Sequence, residues 1–295
     1  MNKGVISVLA AYIIWGMYPF YFHAMQHVAP AEIVIHRVLW TFALLAFYLF
    51  CSKRWRWIQK AVTDKRTIAV FLMSSVLITA NWSTYTYAIV TNQTLEASLG
   101  YFMNPLVSVL LGMVFLKERL SKAQVLAIGF ACAGVMWVTF KQGEFPALGL
   151  TLALSFGFYG LVRKMAPLGS LEGLTLETAF AFPVALLAIF YFAGNGDLTF
   201  VNGTAGDKFW LMMAGPITTI PLILFAYGLK QVPYSTVGFI QYLSPTMVFF
   251  IGLFFFGEEL QVDRLIGFIL IWTGVLIFIG ENFFRGFYGY RSEPN

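Results

Sequence analysis

The chain has 295 residues, of which 59% are hydrophobic and only 11% charged, with a mean hydropathy of +0.75 and a formal net charge of +5. A soluble domain carries about 25% charged residues, so this balance excludes a water-soluble globular protein and places the chain in a lipid bilayer. The positive charge does not point to nucleic acid as a partner, because the basic residues sit in loops between apolar segments and read as membrane anchors.

Ten apolar segments follow in order, over residues 4–25, 33–51, 67–90, 95–116, 123–140, 147–165, 173–193, 208–229, 234–256 and 263–283. Each is close to the roughly 20 residues that a transmembrane helix needs. The loops left over are short and hold no separate soluble domain. The first segment runs too long for a cleavable signal and reads as the first span. Cys51 and Cys132 lack metal-ligand spacing and read as small apolar fillers. No phosphate-binding loop, HExxH or nucleophile elbow occurs. The chain is therefore not read as an enzyme, and no cofactor or metal is expected.

Basic residues set the orientation. Lys3, the loop Lys53 to Arg66, the loop Lys117 to Lys122, Arg163 and Lys164, Lys230, Arg285 and Arg291 all fall on one side under the ten-span pattern. Lys141, Lys208 and Arg264 fall on the other. Positive loops stay in the cytoplasm, so both termini are expected there. Trp55, Trp57, Tyr288 and Tyr290 near span ends read as interfacial anchors.

Polar residues inside spans need a reason, since a central charge costs about 2.5–3.5 kcal/mol on insertion scales. Trp15 in the first span is a candidate cavity wall. In the second, Pro30 and Glu32 suit a helix start. One turn on, His36 is either a proton-linked group or a hydrogen-bonded structural histidine, and Arg37 either snorkels to headgroups or lines a cavity. Asn81 and Tyr85 share a face of the third span, as interhelical glue or as lining. In the fourth, Glu96, Gly100, Asn104 and Ser108 recur every four residues on one helical face. Glu96 also fits a first-turn carboxylate. Pro105 frees the carbonyl of Tyr101. Tyr159 joins Ser155 and Arg163 on one face of the sixth span, with Arg163 expected at the cytoplasmic rim. Glu177 lies in the seventh, Pro216 and Pro221 bend the eighth, and Gln241, Tyr242 and Pro245 mark the ninth. Trp15, Arg37, Asn81, Tyr85, Glu96, Tyr101, Asn104, Tyr159, Glu177, Gln241 and Tyr242 are the expected cavity residues. His36, Glu96 and Glu177 are the candidates for proton coupling, and the four prolines are candidate gates.

A shift of 140 residues pairs Pro105 with Pro245, Gly112 with Gly252, Glu118 with Glu258 and Gly134 with Gly274. It also places Glu177 opposite Arg37, a pairing that would suit a zwitterionic or polar solute. The expected domains are 1–141 and 146–285, followed by a cytoplasmic tail, 286–295. Five spans per half is an odd number, so the second half would enter the membrane inverted, as in secondary transporters.

Several strings carry a resemblance: Ala11-Tyr-x-x-Trp15-Gly16-x-x-Pro19, Glu32 with His36-Arg37, Asn81-Trp82, Leu95 to Pro105, Phe158 to Lys164 and Thr236 to Thr246. Together and in this order, over essentially the whole chain, they resemble the RarD family, in the EamA-type branch of the drug/metabolite transporter superfamily. The resemblance implies an all-α integral membrane fold of ten helices in two inverted five-helix repeats. It further implies a location in the bacterial inner membrane and alternating access in the export direction. Its members are often labelled as chloramphenicol permeases. His23 stands where the family pattern has lysine. The expected partners are a small-molecule substrate and the lipid bilayer, with the oligomeric state open between monomer and homodimer. A passive facilitator, or an intramembrane enzyme or sensor, is the alternative.

Overall fold

The structure is a computed structural model. It describes residues 2–289, leaving aside Arg54, 91–93, Glu144, Asp197, Glu258 and 260–261, and the side chains of 89–98, 142 and 282–289. The expectations placed on Glu96 and on the tail 286–295 therefore fall outside the described side chains.

All regular structure among the described residues is helical. Helices α1 (Lys3–Gly16) and α2 (Tyr18–Ala24) make one segment broken at Met17. Pro19 has no amide hydrogen for the Trp15 carbonyl, so the ladder is interrupted there. Helix α3 (Pro30–Ser52) starts on a proline, whose missing donor costs nothing in a first turn. A short helix, α4 (Arg56–Thr63), leads into α5 (Lys65–Val90), and α6 (Thr94–Phe115) holds Pro105 without a break. Helix α7 (Lys122–Gln142) opens on a Ser121–Gln124 capping box and closes on Gly143 at φ 75°.

The second half follows as α8 (Ala147–Met165), α9 (Ser170–Gly194), the single turn α10 (Thr199–Asn202) and α11 (Ala205–Leu229). The ninth expected span is divided into α12 (Tyr234–Gln241) and α13 (Leu243–Phe255), parted at Tyr242 ahead of Pro245. Helix α14 (Val262–Gly289) ends the described chain. Among the described residues, eight segments are long and apolar enough to cross a membrane; in α6 the described side chains begin at Leu99, and α8 is not among the eight. Large apolar side chains cover the outside, with Phe47, Phe50, Phe140, Leu187 and Phe254 all at least two-thirds exposed. Such a surface needs lipid around it.

Grouped as α1–α2, α3, α5, α6, α7 and as α8, α9, α11, α12–α13, α14, two sets of five described segments have matching neighbours. Helix α6 packs on α8 as α12–α13 packs on α1. Helix α5 meets α8 and α9 as α11 meets α1 and α3. The pairs α3 with α9, α6 with α12 and α7 with α14 map onto themselves. At the α7–α14 contact, a Cβ on Gly134 would lie 2.7 Å from the Gly267 carbonyl oxygen, and one on Gly274 would strike the Ala127 carbonyl. Both glycines let backbones touch, as small residues do between membrane helices. The inner core joins α1, α3, α5, α6, α8, α9, α11 and α12 around Tyr159, Phe225 and Tyr234.

Candidate functional site

Arg37 occupies the second turn of α3, about 10 Å along the axis from Pro30 at 1.5 Å per residue. It is half-buried and turned into the bundle. Its Nε donates to Thr218 Oγ1 of α11 at 3.0 Å, and its guanidinium lies 4.2 Å from the Trp82 ring centroid on α5. Tyr85 follows Trp82 by three residues on α5, which puts it about one turn from the ring on which the guanidinium rests. Tyr18 OH donates to the Ile217 carbonyl at 2.8 Å and Tyr21 OH to the Trp210 carbonyl at 3.3 Å, which ties α2 to α11. Tyr85 and Tyr101 stand edge to face at 6.0 Å, and Phe22 is 6.1 Å from Tyr85. Among the described residues no carboxylate lies within ion-pair distance of Arg37. These contacts with α5 and α11 draw Arg37 inward and away from lipid headgroups. Tyr101 is 51% exposed, so the cluster is open on the α6 side.

A second centre lies beyond Trp82. The Glu177 carboxylate is 3.3 Å from Arg163 Nε and accepts from Ser74 Oγ at 2.5 Å and from Tyr159 OH at 3.4 Å. Ser75 Oγ donates to the Glu177 carbonyl at 2.8 Å, and Arg163 Nη2 to the Ser170 carbonyl at 3.0 Å. Gly173 has no side chain, and a Cβ there would collide with Arg163 Nη1. Arg163, expected at the cytoplasmic end of its span, stands in the last turn of α8 but is 1% exposed and lies inside the bundle, and Glu177, 2% exposed, pairs with it. The reason is that a buried charge needs an opposite charge and hydrogen bonds at contact distance. A void of about 10 Å³, lined by Trp82, Glu177, Val38 and Leu222, separates the two centres.

Glu32 and His36 form a third buried group. The Glu32 carboxylate accepts from the Thr199 and Phe200 amides at 2.9 and 2.7 Å, so it caps α10 as well as standing in its own first turn. His36 Nδ1 accepts from Trp40 Nε1 at 2.9 Å, and its Nε2 is 3.8 Å from Glu32.

The other expected residues scatter. Trp15 packs on Tyr12, Phe156 and Phe225. Asn81 Nδ2 donates to the Leu152 carbonyl and to Ser155 Oγ, both at 3.0 Å, joining α5 to α8. Gln241 Nε2 donates to Ser108 Oγ at 3.0 Å in the α6–α12 contact, where Gln241 is 2% exposed. Asn104 is half-buried and its Oδ1 has no partner among the described residues, while Tyr242 is buried with its hydroxyl likewise unpartnered. Pro105, Pro216 and Pro221 sit within continuous helices, and only Pro245 follows a break. His23 is exposed and stacks on Phe256 at 4.7 Å. The structure thus brings Arg37, Tyr85 and Tyr101 together, and adds Tyr18, Tyr21, Phe22, Trp82 and Thr218. The pair Asn81-Trp82 pointed to one of these; Tyr18, Tyr21 and Phe22 come from the short helix α2 after the break at Met17, and Thr218 lies between the two prolines of α11.

Behind α6, Lys117 adopts a left-handed φ of 55°, and the Glu118 carboxylate accepts from the Tyr234 and Ser235 amides at 2.6 and 2.8 Å. It caps α12. The position matched to Lys117 by the 140-residue shift is Gly257, also left-handed at φ 67°. Nearby, Lys230 donates to the Ala166 carbonyl at 2.8 Å and to the Leu168 carbonyl. Burial first, and the Arg163 charge second, lower its pKa from the ordinary lysine value.

Comparison with known proteins adds the family. The EamA-like transporter family matches residues 2–140 and again 146–280. Protein RarD of Escherichia coli is 37% identical over 278 residues, covering 94% of each chain. An uncharacterized transporter of Pseudomonas aeruginosa is 38% identical, covering 94% of this chain and 93% of its own. A chloramphenicol-sensitive protein RarD from the same organism is 28% identical over the same shares. A crystal structure 14% identical aligns over 94% of this chain and 98% of its own with a TM-score of 0.68, which supports the fold alone. The chain is a multi-pass membrane protein and belongs to the EamA-like transporter family.

Proposed function

We propose that the chain is a secondary transporter that moves a small polar or amphipathic metabolite out of the cell by alternating access. In this reading ten spans cross the bacterial inner membrane, both termini are cytoplasmic, and no covalent chemistry is performed. The observation that carries it is Arg37, a permanent charge in a half-open aromatic cluster built from α2, α3, α5, α6 and α11. A charge so placed serves a pathway or a ligand more readily than it serves folding. The two family matches of similar length, and the paired helix neighbours, support two halves of five. Rocking of one half against the other around a fixed site then gives alternating access. The break at Tyr242 supplies a hinge in the ninth segment. His36 and Glu177 are the described buried groups that could link transport to protons.

The test is solute counterflow in liposomes holding the purified protein, with solutes chosen by thermal-shift screening. Chloramphenicol is included because of the relative's name. Saturable uptake with trans-stimulation is expected, and a pH gradient tests coupling. Non-saturable flux would indicate a passive pore. Conversion of the solute without translocation would indicate an enzyme.

A further inference from the structure

We infer that Arg37 is the ligand-binding cation of this site and that the solute is a small organic anion with a planar body. That such a solute crosses the membrane rests on the carrier reading above; that it binds at Arg37 rests on the geometry around that side chain.

Arg163 has Glu177 and the Ser170 carbonyl, Lys164 has the Leu229 and Val232 carbonyls at 2.9 and 2.6 Å, and Lys141 has Asp263 at 3.3 Å. Lys208 and Arg264, in the first turns of α11 and α14, have no acceptor among the described residues. Arg37 lies two turns inside α3 and is not paired with a carboxylate or a carbonyl among the described residues. Its one recorded hydrogen bond among the described residues is from Nε to a neutral hydroxyl, and its flat face rests on Trp82. Thr218, which takes that bond, is 1% exposed. Both contacts hold the guanidinium plane in place, while the Nη1 and Nη2 groups have no protein acceptor there. A fixed guanidinium with two free parallel donors matches a carboxylate or a similar oxyanion, which it binds in bidentate fashion.

The surroundings select the rest of the solute. Tyr85, three residues after Trp82 on α5, and Tyr101, edge to face with it, offer ring surfaces near the cation, and Tyr101 leaves half of its surface uncovered. Aromatic faces are best covered by planar or apolar groups. With no described carboxylate beside it, the site is net positive and disfavours cations. An amphipathic anion fits: oxyanion on Arg37, flat body against Tyr85 and Tyr101.

The experiment uses the full-length protein in detergent and matched triads that differ only in charge, such as benzoate, benzamide and benzylamine, together with larger aryl and short alkyl sets. Thermal shift and tryptophan fluorescence report binding. The acids are expected to bind best, with a preference over their amides of about tenfold or more, typical of a bidentate charge-assisted pair. Arg37→Gln should erase that preference, and Arg37→Lys should keep only part of it. Tyr101→Leu should weaken the aryl acids while sparing the short alkyl ones. If Arg37→Gln does not fold, the Arg37→Lys and Tyr101→Leu arms decide. The inference is overturned if amides or amines match the acids in the unmodified protein, if no acid of any set binds, or if the preference survives the loss of Arg37. Counterflow separates the two claims: acids that bind but never cross remove the carrier reading and leave the anion site, whereas transport confined to neutral or cationic members does the reverse.

Discussion

Arg163 and Glu177 lie almost wholly inside the bundle, 1% and 2% exposed, and each depends on the other. Removing one partner of a buried pair leaves an uncompensated charge, at a cost of about 3–5 kcal/mol. Glu177→Gln is therefore expected to lower the melting temperature in detergent sharply, and adding Arg163→Gln should restore much of the loss. A single variant as stable as the parent would show that the pair contributes nothing. Arg37→Gln should behave differently, because Arg37 has no such partner among the described residues. It is expected to leave the melting temperature within a few degrees of the parent while altering ligand binding. The spacing of Ser155, Tyr159 and Arg163 placed them on one face, and the structure agrees that this face is polar. The partner was not legible: four-residue spacing shows which residues align, not which neighbouring helix each one meets. The partner of Glu177 came from the adjoining helix α8, and a repeat offset carries no information about such a contact.

At the scale of elements, α7 and α14 meet through glycine at matched positions, Gly134 and Gly274. Gly274→Ala would place a methyl group against the Ala127 carbonyl and force the helices apart, whereas helix propensity alone would favour alanine by about 1 kcal/mol. Net destabilisation, read as a lower melting temperature in detergent, is the expected sign; a gain in stability would mean the backbones have room. Gly129, which meets nothing within 4 Å, is the control, and alanine there should stabilise or be neutral. The Glu118 cap on α12 allows a similar test. Glu118→Gln keeps the shape but removes the charge and leaves one of the two amides facing an NH2 group that cannot accept, and a loss of about 1–2 kcal/mol is expected. Helix order was legible because long apolar runs are unambiguous. Three details were not. The break at Met17 follows from Pro19, whose effect depends on local packing. The short helix α4 hides in a basic stretch that reads as loop, although Trp57 packs against the cluster of Ala61 and Phe71. The turn α10 exists because Glu32, far away in sequence, caps it.

At the scale of the whole molecule, the proposal of two inverted halves makes a claim about sidedness. Exchangeable helix neighbours and two consecutive family matches support duplication. Inversion follows only if each half crosses the bilayer an odd number of times, and α8, which is not among the long apolar segments, is the helix on which that parity turns. The basic loops resist translocation, so they vote independently of helix counting. A fluorescent protein that matures only in the cytoplasm, fused after the last residue, is expected to glow, and a phosphatase active only outside, fused there, to stay silent. Fusions after Gly143, at the end of α7, should give the opposite pattern, since five crossings would have carried the chain outward. Fusions in the loop between α6 and α7, beside Lys117 and Arg119, should again report the cytoplasm. If the Gly143 fusions match the terminal ones, the first half crosses an even number of times. The halves would then run parallel, and the rocking mechanism built on their inversion would fail even with Arg37 still binding its anion.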